Sequence, residues 1–171
     1  MKKIKFLNIG LAAFILVLML AGCSKKSDNP VAPGNVVSAE ANIILNGAGY
    51  NNKSVTLSNG ICGYSIPDTA TAIYFNGTVG SDSLHLYIIF KGNHSGTVNW
   101  DQDDGAIINR YTSTATLTFM GVQQGTTIIN SYGAVGSKVE GSISGKLIEN
   151  STQAELDISG TFSSVRIPDS Q

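Results

Sequence analysis

The sequence predicts an all-β protein, folded as a single antiparallel β-sandwich of about nine or ten strands. Three observations carry that reading. Apolar residues recur at every second position in many short runs, the period of a strand whose successive side chains face opposite ways. The runs are bounded by Gly, Asn, Asp and Ser, residues that turn a chain. From Val36 onward no window carries the three-and-four apolar spacing of an amphipathic helix.

The chain opens in a different manner. Lys2, Lys3 and Lys5 form a positive segment, and Ile9 to Gly22 follows without a charged or strongly polar side chain. As a helix that stretch would extend ~21 Å, short of a ~30 Å hydrocarbon core, so it reads as an export signal rather than a permanent span. Leu20-Ala21-Gly22-Cys23 resembles the lipobox of bacterial lipoproteins. That resemblance implies removal of residues 1–22 as a signal peptide and acylation of Cys23 by a thioether-linked diacylglycerol, usually with an N-acyl chain. Two or three acyl chains supply the two signals that stable membrane anchoring needs. Ser24, rather than Asp, follows the cysteine. In the enteric pattern this resembles sorting to the outer membrane, so the expected location is the cell envelope, lipid-anchored, outer membrane before inner in a host with two.

Residues 23–36 read as the acylated cysteine and a flexible tether: Ser24 to Asn35 is polar and interrupted by Pro30, Pro33 and Gly34. Fully extended it would reach ~40 Å, keeping the domain at 37–171 close to the membrane. Loss of Lys2, Lys3 and Lys5 leaves 8 of the 11 basic residues against 12 acidic ones, a net charge near −4. Such a balance gives no footprint for nucleic acid. Once Cys23 is acylated, Cys62 is the only thiol left of two, so no intramolecular disulfide forms.

The strands follow in order. Ala41 to Leu45, Ser54 to Leu57, Ile61 to Tyr64 and Ala72 to Phe75 are short candidates. Leu84, Leu86, Ile88 and Phe90 share one face of the next strand, with His85, Tyr87 and Ile89 on the other; two apolar faces suggest a central strand. Thr97 to Trp100, Ile107 to Tyr111, a threonine-rich run through Ala115, Leu117 and Phe119, and Thr126 to Asn130 come next. The clearest pair is last. Val139, Gly141, Ile143, Gly145 and Leu147 alternate with polar residues, and across the turn Glu149-Asn150-Ser151-Thr152 the set Ala154, Leu156, Ile158, Gly160 and Phe162 repeats the pattern, an antiparallel hairpin. A phase slip at Ser163-Ser164, before Val165 and Ile167, suggests a bulge. Gly141 to Leu147 with Ile158 to Ser163 resembles the closing hairpin of uncharacterised small bacterial lipoproteins, which implies no particular activity.

Candidate chemistry is sparse. Cys62 reads as a small buried strand residue. Asp101, Asp103 and Asp104 beside Gly105 offer the oxygen ligands a Ca²⁺ ion takes, but the spacing departs from an EF-hand loop, with the third carboxylate at position 4 and Thr112 at position 12. A solvated acidic turn is the favoured reading and an irregular Ca²⁺ site the alternative. His85 and His94 have no nucleophile near them in sequence, and there is no Gly-x-Ser-x-Gly, His-Glu-x-x-His or Cys-x-x-Cys motif. Among the six tyrosines and the lone tryptophan, Tyr87 and Trp100 are the first candidates for an exposed aromatic strip that stacks on sugar rings. The expected function is therefore a non-enzymatic, lipid-anchored binding module for a glycan or an envelope protein, with no cofactor beyond its own lipid. A purely structural surface lipoprotein is the alternative, and a hydrolase a distant one.

Overall fold

The alternation read along the chain becomes ten strands and no helix in the computed structural model, which describes residues 39–121 and 124–171. The signal segment, Cys23 and the tether lie outside the described residues. The strands are β1 (Ala41–Gly47), β2 (Tyr50–Ser65), β3 (Ala70–Val79), β4 (Asp82–Lys91), β5 (Gly96–Asn99), β6 (Gly105–Tyr111), β7 (Thr116–Gly121), β8 (Gly125–Tyr132), β9 (Lys138–Glu149) and β10 (Glu155–Arg166). Two expected strands are one. Ser54 to Leu57 and Ile61 to Tyr64 both belong to β2, and Ser58-Asn59-Gly60, read as a break, is a register shift within it. Asn59 takes the left-handed conformation there, and a Cβ on Gly60 would stand 2.4 Å from the Phe75 ring.

The expected two-sheet sandwich is not what the chain forms. Antiparallel neighbours run β1, β2, β3, β4, β6, β7, β9, β10 and back to β1, so eight strands close into a barrel. Closure rests on β1. Ile43 pairs with Gly160 of β10 on one side and Val55 of β2 on the other, so neither ladder is left open where a sandwich would have two edges. Beyond the start of β1, β10 touches β2 directly in a short parallel pairing of Val165 with Ile61 and Arg166 with Cys62. The first half of β9 also pairs with β8, and β8 with β5, so a two-stranded branch leaves the barrel at β9.

Inward residues fill the barrel. Leu45, Phe75, Leu86, Ile88, Leu147 and Leu156 are each 0% exposed and belong to one continuous core drawn from every strand of the wall. The hairpin faces fall as the sequence predicts, with Val139, Ile143, Leu147, Leu156, Ile158 and Phe162 buried. The bulge at Ser163-Ser164 does not exist. The β9 register continues unbroken through Ser163, Ser164 and Val165, so Ser164 points inward, fully buried, and its hydroxyl donates to the Val139 carbonyl. Ile167 consequently lies on the outer side. Outward positions of β9 and β10 are charged: Lys146 pairs with Glu155 at 2.5 Å and Lys138 with Glu140 at 3.5 Å. The interior is apolar, and the outer side of β9 and β10 carries charge.

Candidate functional site

Each sequence-level candidate has a definite place. Trp100 follows β5 and turns inward, 4% exposed, with its indole Nε1 donating to Thr127 Oγ1 at 2.9 Å. Its seat is built of glycine, because a Cβ on Gly121, Gly125 or Gly145 would come within 2.4 Å of the indole. Tyr87 lies on the opposite, outer face of the wall and is also 4% exposed, packed with Ala72 and Ile89. The two residues therefore do not form the exposed pair expected of them; one plugs the core and the other underlies the outer surface.

The acidic turn after Trp100 uses its carboxylates internally. Asp101 accepts from the backbone N–H of Asp103 (2.7 Å) and Asp104 (3.0 Å), which holds its carboxyl below the usual range. Asp103 pairs with Lys91 at 2.6 Å, and Asp104 accepts from the Lys91 backbone N–H at 2.8 Å while burial raises its carboxyl. Among the described residues no three His, Cys, Asp or Glu side chains converge as a metal-binding group. Cys62 points inward with its thiol against Tyr132, and burial pushes it up to about 12, so it is held as the unreactive thiol. His85 points outward from β4 and His94 sits in the exposed turn between β4 and β5. Neither wall face brings thiol and imidazole together.

What the pairing does assemble is an outer face that no single segment encodes. Register sets Tyr74 beside Tyr87 across β3 and β4, Asn76 beside His85, and His85 beside Asn109 across β4 and β6. The rings form a chain: Tyr87 to Tyr74 at 5.1 Å between centroids, Tyr74 to His85 at 5.5 Å edge-on, and His85 to Tyr111 at 4.8 Å. Tyr111 is the most open of them, 37% exposed at the end of β6. Amides and hydroxyls border the rings. Asn59 Nδ2 donates to Asn76 Oδ1 at 2.8 Å, Asn76 Nδ2 to the Tyr74 hydroxyl at 3.2 Å, and the Thr118 hydroxyl to Asn109 Oδ1 at 3.0 Å. Burial holds the His85 imidazole below its ordinary value, so it is neutral at neutral pH, and its Nδ1 is enclosed without a partner among the described residues.

Charge is all but missing from this face. Along the outward positions of β3, β4, β6 and β7 the one charged side chain among the described residues is Lys91, at the far end and neutralised by Asp103. Arg110 of β6 points to the barrel mouth instead, 2.7 Å from Asp82 and over the Tyr50 ring. A separate depression of about 420 Å³ on the outer side of β1, β9 and β10 is lined by Asn46, Ser144, Lys146 and Asp157 together with Ile44. Alternation alone marks Tyr74 and Tyr111 as outward from their strands; their meeting with His85 depends on pairings between strands up to 37 positions apart, for which the sequence carries no local signal. No protein-family model, no curated protein and no solved structure matches the chain.

Proposed function

We propose that the protein is a lipid-anchored component of a bacterial cell envelope, acylated on Cys23 and held on a membrane, the outer one where two exist, whose barrel serves as a non-enzymatic binding module. Its occupant is a glycan or another envelope protein. The observation that carries this reading is the uncharged outer face of Tyr74, His85 and Tyr111, bordered by Asn59, Asn76 and Asn109. Aromatic rings beside amides that keep part of their hydrogen-bonding capacity, the Asn59 carbonyl and the Asn109 NH₂, favour recognition of a polar, neutral surface over chemistry upon it. The thiol, the histidines and the carboxylates are separated from one another, which supports binding over hydrolysis.

Two measurements test the reading together. Intact mass of detergent-extracted protein is expected to begin at Cys23 with a diacylglycerol and an N-acyl chain, and a mature chain that is unmodified or starts elsewhere would overturn the anchor. The full chain, screened against envelope glycans and envelope extract with and without Ca²⁺, is expected to retain a ligand that the double variant Tyr74→Ala, Tyr111→Ala does not. Turnover of hydrolase substrates with no ligand retained would reverse the order of functions.

A further inference from the structure

Resting on that reading of the outer face, we propose that its ligand is a neutral saccharide, laid across β3, β4 and β6 with Tyr111 as the leading ring and Asn59, Asn76 and Asn109 engaging its hydroxyls. Tyr74, His85 and Tyr111 touch in sequence above the buried Tyr87, with centroids 5.5 and 4.8 Å apart, and Tyr111, 37% exposed, is the ring that this support presents to solvent. The C–H faces of a pyranose need such a surface, apolar and polarisable. Its equatorial hydroxyls need both donors and acceptors at the border. The existing hydrogen bonds leave both kinds. The Tyr74 hydroxyl accepts from Asn76, so its own proton is directed elsewhere; Asn109 receives Thr118 on its carbonyl, which leaves its NH₂ to donate; and Asn59 gives its NH₂ to Asn76, which leaves its carbonyl to accept.

Charge decides between sugars. An acidic glycan or an anionic lipid headgroup requires a cation aimed at it, and among the described residues none stands free on this face: Lys91 is paired with Asp103 and Arg110 with Asp82 at the barrel mouth. His85, sealed between two tyrosines, adds no charge at neutral pH. On the wall itself, charged pairs stand instead on the outer side of β9 and β10, Lys138 with Glu140 and Lys146 with Glu155. A neutral ligand on an uncharged face also escapes the salt dependence of a charged one.

The test uses the full chain in non-ionic detergent micelles, titrated with neutral hexasaccharides of glucose and of N-acetylglucosamine, with an oligogalacturonate, and with phosphatidylglycerol vesicles. At least one neutral hexasaccharide is expected to bind, with affinity changing less than about twofold between low and high salt. Tyr111→Ala is expected to weaken it by about tenfold, while Tyr111→Trp, which keeps a ring at that place, retains or tightens it. Because Tyr111 is exposed at a strand end, a melting curve on each variant separates lost stacking from lost folding. Binding only to oligogalacturonate or to the vesicles, with steep salt dependence, would overturn the ligand class. So would neutral-sugar binding that Tyr111→Ala leaves unchanged. Failure of all sugars alongside an envelope protein partner lost on Tyr111→Ala would refute the saccharide and leave the face standing; a partner indifferent to that variant would refute both.

Discussion

At Glu149 a single carboxylate holds the β9–β10 turn in place. It is 3% exposed, and it accepts from the backbone N–H and the hydroxyl of both Ser151 and Thr152. Those donors, the Thr152 N–H first, hold it down to about 2 from an ordinary 4.5. A carboxyl whose folded value is depressed is protonated first in the unfolded chain, so its stabilisation is complete above about pH 4.5 and is lost as pH falls toward 2. Thermal melts of the native chain and of Glu149→Gln are therefore expected to differ most near neutrality and to converge over that acid interval. A difference that stays constant with pH would show that shape, not charge, fixes the turn.

At the scale of strands, the branch of β5 and β8 is joined to the barrel by the β8–β9 ladder and by Trp100, seated on Gly121 at the end of β7, Gly125 at the start of β8 and Gly145 within β9. Gly125→Ala would place a methyl 2.2 Å from the indole and Gly145→Ala one 2.3 Å away, with Gly125 itself close behind. Either overpacks a closed seat, which costs about 1–3 kcal/mol. Since Trp100 is the only tryptophan, a lowered melting temperature should come with a red-shifted emission from it; unchanged emission in both variants would mean that the seat has room. The strands themselves were legible because alternation is a local property: β1, most of β9 and β10 up to Phe162 carry it, and their inward apolar residues are the buried ones. Ser58-Asn59-Gly60 misled because the residues that make turns also make bulges, and only Phe75, lying against Gly60, tells the two apart. Ser163-Ser164 misled in the opposite sense. A buried serine satisfied by the Val139 carbonyl takes an inward position that a polarity pattern assigns to water. Closure was not legible at all, since it depends on which strand β1 finds on its second side. The face of Tyr74, His85 and Tyr111 was hidden for the same reason.

For the whole molecule, one core and a closed wall imply one cooperative unit. Leu156→Asp would bury an unpaired carboxylate at a position 0% exposed, at a cost of several kcal/mol against a stability of ~5–15 for a typical domain. That variant is expected to unfold barrel and branch together, whereas Glu155→Lys, which removes only the exposed pair with Lys146, should melt within a few degrees of the native chain. In denaturant, far-ultraviolet dichroism of the wall and Trp100 emission from the branch should change at one midpoint; separated midpoints would make the branch an independent unit. The position of β1 has a further, mechanical consequence. The described chain comes in at Ala39, whose carbonyl receives the Gly60 N–H, and passes directly into a strand hydrogen-bonded on both sides from Ala41 to Gly47. Tension drawn through that end runs along β1, across the direction of its hydrogen bonds, and so loads two ladders in shear at once instead of peeling them one bond at a time. A barrel pulled through that end would thus resist along the strand that closes it.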